Sequence, residues 1–132
     1  YFHNLYGIFN ITHKFGITAG FDIGSEQKTK GSNDFNTWYT PVLILKYSVN
    51  SKWAIAARGE YYDDRYAVII ASGTPNGFKT AGYSLNVDYT PISNAVIRLE
   101  ARTLNSKDDI FSTGNGFANN NTFITSSIAV SF

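Results

Sequence analysis

The sequence predicts an all-β fold, a transmembrane antiparallel up-and-down β-barrel of which about seven strands are visible. Apolar and polar side chains alternate along most of the chain, as the two faces of a β-strand require. The segments between the strands alternate between short turns and long polar loops. Aromatic residues stand at both ends of several apolar strand faces, as they do at the two lipid–water interfaces of membrane barrels.

Composition limits what the chain can be. It has 132 residues, a net charge of +1 and no cysteine. We therefore predict a single barrel segment over residues 1–132, with no separate domains, no disulfide framework and no thiolate metal site. No run approaches the ~20 apolar residues of a membrane-spanning helix, so a chain that crosses a bilayer must cross it as a barrel. The charges are scattered, which argues against a nucleic-acid partner.

Seven strands and six connections follow from the period-two pattern and its turn residues. The strands are predicted at residues 3–12, 16–25, 37–48, 53–62, 79–90, 95–105 and 122–132. Tight turns are predicted at His13–Phe15, Val49–Lys52 and Pro91–Asn94. Long loops rich in Gly, Asn, Ser and Asp are predicted at Glu26–Asn36, Asp63–Phe78 and Ser106–Asn121. Short periplasmic turns opposite long extracellular loops are typical of transmembrane barrels.

The last strand indicates the orientation. Ile124, Ile128, Val130 and Phe132 fall on one of its faces, and outer-membrane barrels also end on an aromatic residue. If Phe132 lies at the periplasmic rim, every tight turn is periplasmic and every long loop is extracellular. Bacterial single-chain barrels have an even number of strands and at least eight, so seven strands do not close.

We therefore expect the chain, which begins at Tyr1 without an initiator methionine, to be the C-terminal part of a larger barrel. The alternative is a small eight-stranded barrel that lacks its first strand.

Three strands have an outward face with an aliphatic middle and aromatic ends. The predicted aromatic girdles consist of Tyr39, Tyr47, Trp53, Tyr61, Tyr83, Tyr89 and Phe132. Tyr39 to Tyr47 covers roughly 26 Å of strand at ~3.3 Å per residue, or about 20 Å after a ~40° tilt, which nearly fills the ~25 Å apolar band. Pro41 cannot donate a ladder hydrogen bond, and it predicts a bulge or local break near the outer rim.

The opposite faces carry charges in mid-strand, which a membrane barrel must turn toward a watery lumen. The predicted lumen-facing polar belt consists of Lys46, Arg58, Glu60, Asn86, Asp88, Arg98, Glu100 and Arg102. Its charges would either bias a pore weakly, because both signs are present, or form cross-strand salt bridges that stiffen the wall. Alternation also fits a soluble sandwich or lipocalin-like barrel whose apolar face is the core.

Four motifs precede the terminal Phe132 in a fixed order. They are Arg58-Gly-Glu60-Tyr-Tyr-Asp63-Asp64, Thr74-Pro-Asn-Gly-Phe78, Ser84-Leu-Asn-Val-Asp-Tyr-Thr-Pro91 and Arg98-Leu-Glu-Ala-Arg102. In this order the chain resembles the OmpL-like β-barrel porin family, found largely in Bacteroidota and related Gram-negative bacteria. The resemblance covers roughly residues 37–132, the C-terminal part of such porins. It implies an outer-membrane porin of a Gram-negative bacterium, and it supplies neither a solute nor catalytic residues.

No catalytic, cofactor or metal site is predicted. His3 and His13 are the only histidines, and they lack metal-ligand spacing. The pairs Asp63-Asp64 and Asp108-Asp109 could hold a divalent cation through oxygen ligands, but we interpret them as solvated loop residues. An outer-membrane enzyme would need a site contributed by further strands.

The function we expect is passive diffusion of small hydrophilic solutes through a polar lumen, without a cofactor. The expected contacts are membrane lipid, lipopolysaccharide and, through the C-terminal strand, the insertion machinery. The alternative is a structural or accessory barrel, plugged by its loops or by a partner among other outer-membrane proteins in a surface or secretion complex. The apolar loop segments Tyr66–Ala71 and Ile110-Phe111 favour this alternative, because they could fold into the lumen or bind another chain.

Overall fold

The computed structural model describes residues 1–132, which form an antiparallel all-β meander. The strands are β1 Phe2–Asn10, β2 Phe15–Gln27, β3 Phe35–Ser48, β4 Trp53–Asp64, β5 Phe78–Ile92, β6 Ala95–Ser106, β7 Phe111–Thr113, β8 Gly116–Ala118 and β9 Asn120–Val130. Seven of them form one sheet in the order β1-β2-β3-β4-β5-β6-β9, and β7 pairs only with β8. All seven predicted long strands are therefore present.

The tight turns and long loops lie at opposite ends of the strands, as predicted. Two of the three tight turns are closed by a short polar side chain. Thr12 Oγ1 accepts a hydrogen bond from the Phe15 amide at 3.0 Å, and Asn50 Oδ1 accepts from the Lys52 and Trp53 amides at 2.9 and 3.0 Å. These local bonds let the chain reverse within a few residues.

Some strand boundaries differ from those predicted. Strand β5 continues through Pro91 to Ile92, and β9 ends at Val130, so Phe132 lies beyond the last strand and is fully exposed. The β7–β8 hairpin lies inside the connection predicted as loop Ser106–Asn121. Strands of three residues are too short to show a clear period-two pattern.

The two prolines in the strands disturb the ladders in different ways. Between β3 and β4 the pairs Tyr39–Asp63 and Val42–Glu60 share one register, but pairing is interrupted at Thr40 and Pro41. This is the local break predicted for Pro41. The bulge lies instead near Pro91, where the register of β5 against β6 shifts between Tyr89 and Ile92. Proline lacks the amide hydrogen that a regular ladder requires.

The sheet has no apolar core. Ala56, 7% exposed, is the only buried hydrophobic residue, whereas large apolar side chains such as Leu85 and Ile124 are 59% and 72% exposed. The buried polar residues are Asp64, Thr80, Asn86 and Asp88. None of the elements is a helix long and apolar enough to cross a membrane. Burial is thus inverted relative to a water-soluble sandwich, in which the apolar face is covered.

Candidate functional site

The strand registers place all eight predicted belt residues on one face of the sheet. Lys46, Ala56, Asn86 and Glu100 form one row across β3 to β6, and Ile44, Arg58, Ser84 and Arg102 form the next. Asp88 lies opposite Arg98, and Glu60 lies opposite Gly82. We call this side of the sheet the polar face. Its contact with a water-filled lumen remains a prediction.

Glu60 is the centre of a charge cluster on the polar face. Its carboxylate accepts hydrogen bonds from the Arg58 and Arg102 guanidinium groups, one on its own strand and one on β6. Strand β5 lies between β4 and β6, and Gly82 there leaves room for the carboxylate, since a Cβ at that position would collide with it. The predicted belt residues of β4 and β6 therefore contact each other through Glu60 and Arg102.

A second cluster joins β5 and β6 nearer the tight turns. Arg98 Nε and Nη2 donate to the two Asp88 carboxylate oxygens at 2.7 and 2.8 Å, a bidentate pair. Asn86 Nδ2 donates to Asp88 Oδ1 at 2.9 Å. Lys46 and Glu100 belong to none of the ion pairs. The belt thus combines three arginines, which are paired with two carboxylates, and two charged residues that have no ion-pair partner.

The predicted girdle residues in strands lie on the opposite, apolar face. Tyr39 and Tyr61 have ring centroids 6.3 Å apart near the loop end, and Trp53 and Tyr89 stack at 4.5 Å near the turn end. Register places the remaining strand members, Tyr47 and Tyr83, on the same face. Phe132 follows β9 at the turn end.

A row of aromatic side chains on the polar face was not predicted. Trp38 stacks on Phe2 with a centroid separation of 5.8 Å and on Tyr62 at 5.6 Å, and Tyr62 meets Phe78 edge-on at 5.4 Å. Gly24, which lies between Phe2 and Trp38 in the ladder, makes this packing possible because a Cβ there would collide with the indole. The signal in the sequence was parity, since Trp38 and Tyr62 share the face of Thr40 and Glu60.

The loop of residues 65–77, which we call the inward loop, is held against the polar face by Asp64. This carboxylate is fully buried and accepts hydrogen bonds from the amides of Val68, Ile69 and Ile70 at 2.8, 2.7 and 2.8 Å. The interpretation of Asp64 as a solvated loop residue is wrong, because three amide donors replace its water. Ile70 is thereby placed over the polar face.

Of the other three acidic residues in the two predicted pairs, two have partners within the protein and one does not. Asp63 pairs with Lys79 at 2.9 Å on the apolar side of the rim. Asp108 accepts hydrogen bonds from the backbone and side-chain amides of Asn76 at 2.9 and 2.8 Å, which connects the loop after β6 to the inward loop. These bonds hold the pKa of the Asp108 carboxyl below its ordinary value of 3.8. Asp109 is exposed.

The two histidines lie apart from these clusters. His3 is opposite Ile23 in the β1–β2 ladder, and His13 is in the first tight turn. Both are exposed.

A cavity of about 230 Å³ lies between the polar face and the inward loop. Tyr62, Phe78 and Ile70 supply apolar surface, and Glu60, Arg102 and Thr80 supply polar atoms. We call it the outer cavity, because it lies near the loop end of the strands. It is the one place where the aromatic row, the charge cluster and the inward loop meet.

The comparisons with known proteins agree with this architecture. The family model described as "Putative beta-barrel porin-2, OmpL-like" matches residues 1–132. No curated protein and no solved structure matches the chain. The match extends over the first two strands, which the resemblance seen in the sequence had not included.

The chain belongs to this OmpL-like β-barrel porin family. The predicted fold class, a transmembrane antiparallel barrel, is confirmed by the family and by the all-β meander. Membership indicates an outer-membrane porin of a Gram-negative bacterium, and the family is one of porins rather than enzymes.

Proposed function

We propose that the polar face lines a water-filled pore through which small hydrophilic solutes diffuse passively across the outer membrane. The observation that carries this proposal is the inversion of burial. Asp88 and Asn86 are each 7% exposed, while the aliphatic side chains of the same strands are open to the surroundings. A sheet with this distribution is stable where lipid covers its apolar face and water reaches its polar face.

The pairing of charges refines the expected selectivity. The paired residues are two carboxylates, Glu60 and Asp88, and three arginines, so together they carry one excess positive charge. The two belt charges outside these ion pairs are Lys46 and Glu100. These two residues share one row of the polar face. A pore with one free charge of each sign is expected to select weakly between anions and cations.

Single-channel conductance of the protein in planar bilayers tests the proposal. We expect ion conductance with weak selectivity. Lys46→Gln should shift the preference toward cations and Glu100→Gln toward anions, since each leaves the other charge unopposed. Replacing Arg58, Arg98 and Arg102 together should shift the preference further toward cations. Lys79→Gln is the matched control, because Lys79 lies on the apolar side of the rim and should leave selectivity unchanged.

A specific observation favours a second function, a plugged accessory barrel. The inward loop already covers part of the polar face, held by Asp64 and connected to the neighbouring loop through Asn76 and Asp108. If the folded protein gives no conductance, either intact or with the inward loop shortened, the plugged accessory barrel is favoured over the pore. Conductance that appears only after shortening would mean that the loop closes a pore.

A further inference from the structure

The outer cavity contains a buried hydroxyl group without a partner. Thr80 is 3% exposed, and its Oγ1 makes no hydrogen bond within the protein. Thr80 lines the outer cavity. A buried hydroxyl without a partner is destabilising, so an unpaired one beside a cavity points to a group that enters the cavity and bonds it.

The wall of the cavity offers two kinds of contact. Tyr62 and Phe78 end the aromatic row that runs from Phe2 through Trp38 across the polar face. Beside them, Glu60 can accept hydrogen bonds, Arg102 can donate them and the Thr80 hydroxyl can do both. A ligand for this site must therefore combine an apolar face with groups that both donate and accept.

Charge narrows the choice to a neutral ligand. Glu60 and Arg102 are the charged residues that line the cavity, and they are bonded to each other. An ammonium group would have to displace an arginine from Glu60, and a carboxylate or phosphate that bonds Arg102 would compete with Glu60 for it. Hydroxyl groups need only the lone pairs and N–H groups that the pair leaves free.

Size narrows the choice further. The cavity, about 230 Å³, is smaller than the ~300–1,000 Å³ typical of ligand pockets, which suits one ring rather than a chain of rings. We propose that the outer cavity is a subsite for a single neutral sugar ring, with the C–H face of the ring against Tyr62 and Phe78 and its hydroxyls on Thr80, Glu60 and Arg102. The proposal rests on the porin function, because the sugar would be one of the solutes that pass the aromatic row at the loop end of the pore.

Tryptophan fluorescence provides the test. Trp38 stacks on Tyr62, and the only other tryptophan, Trp53, lies on the apolar face, so Trp53→Phe leaves Trp38 as the sole reporter. We expect D-glucose to change the emission in a saturable way. D-Sorbitol has hydroxyls but no ring face, and sodium gluconate is charged, so neither should match the change. An equal response to sorbitol or a stronger one to gluconate would overturn the assignment to a neutral ring.

The second arm removes one hydroxyl. Thr80→Val keeps the shape of the side chain and should weaken glucose binding about fivefold, the equivalent of one hydrogen bond. Thr125→Val is the matched control, because Thr125 lies on the polar face of β9, away from the cavity, and should leave binding unchanged. Equal affinity in Thr80→Val and the parent protein would overturn the role of Thr80.

Conductance separates this proposal from the porin function. If the protein conducts but does not respond to glucose, the pore proposal stands and the sugar subsite is overturned. If the protein responds to glucose but does not conduct, the sugar subsite stands and the pore proposal is overturned. Both variants are first compared with the parent by circular dichroism, so that a loss of binding is scored only in folded protein.

Discussion

The two faces of this sheet are built from the same strands, yet they are stabilised by different interactions. On the polar face, side chains make specific contacts, such as the bidentate Arg98–Asp88 pair and the three amides bound by Asp64. On the apolar face, most large side chains are exposed, and the aromatic rings at the two ends of the strands stack on one another. The stability of the polar face therefore depends on the geometry of its hydrogen bonds and ion pairs. The stability of the apolar face depends on the lipid or water that surrounds it.

This difference predicts which substitutions each face tolerates. A substitution on the apolar face should change stability by the free energy of transferring the new side chain into lipid, whatever its neighbours are. A substitution on the polar face should lower stability according to the number of hydrogen bonds that it removes.

The largest effect is expected for an arginine on the apolar face. Ile124→Arg should destabilise the protein by about 2–4 kcal/mol, the cost of an arginine at the bilayer midplane. Equilibrium unfolding of the protein from phospholipid vesicles measures it. Thr125→Arg is the control, because residue 125 is the next one along β9 and lies opposite Glu100 on the polar face. Equal losses of stability in the two variants would contradict the assignment of the faces.

A smaller, local effect is expected at Asp64. Asp64→Asn replaces one carboxylate oxygen by an amide group that cannot accept the Val68, Ile69 or Ile70 bonds, at a cost of about 1–3 kcal/mol. Hydrogen exchange of these three amides should speed up about tenfold or more while the ladder amides of β4 and β5 stay protected. Asp63→Asn, on the neighbouring residue, should leave their exchange unchanged. Unchanged exchange in Asp64→Asn would mean that the loop is held by other contacts.

The smallest effect concerns pH and the contact between the two loops. The pKa of Asp108 is lowered by its hydrogen bonds from Asn76, so the contact stabilises the protein above the ordinary value of 3.8 and is lost as the pH falls through the lower folded value. The backbone amide signal of Asn76 should therefore titrate below pH 3.8 in NMR spectra. Asp108→Asn should abolish this titration, and Asp109→Asn should preserve it. A midpoint at or above 3.8 would contradict the hydrogen-bond geometry.

The strands, the alternation of turns and loops and the two faces could all be predicted from the sequence. Each depends on neighbours in the chain: Asn50 closes its own turn, and the parity of Tyr39 to Tyr47 determines which of them share a face. The break at Pro41 was also predictable, because proline lacks an amide hydrogen wherever it stands. The end of the last strand was not, since only pairing with β6 decides that β9 stops at Val130.

The candidate site depended on tertiary structure. The sequence determined which residues are charged and which face they share, because the side-chain period of a strand is two. Only the folded sheet decided that Glu60 binds Arg102 across an intervening strand, that Gly24 leaves space for Trp38, and that Asp64 is buried under a loop. These contacts join residues on different strands or in loops. Their partners are set by register and by the path of the loop, and no local pattern contains that information.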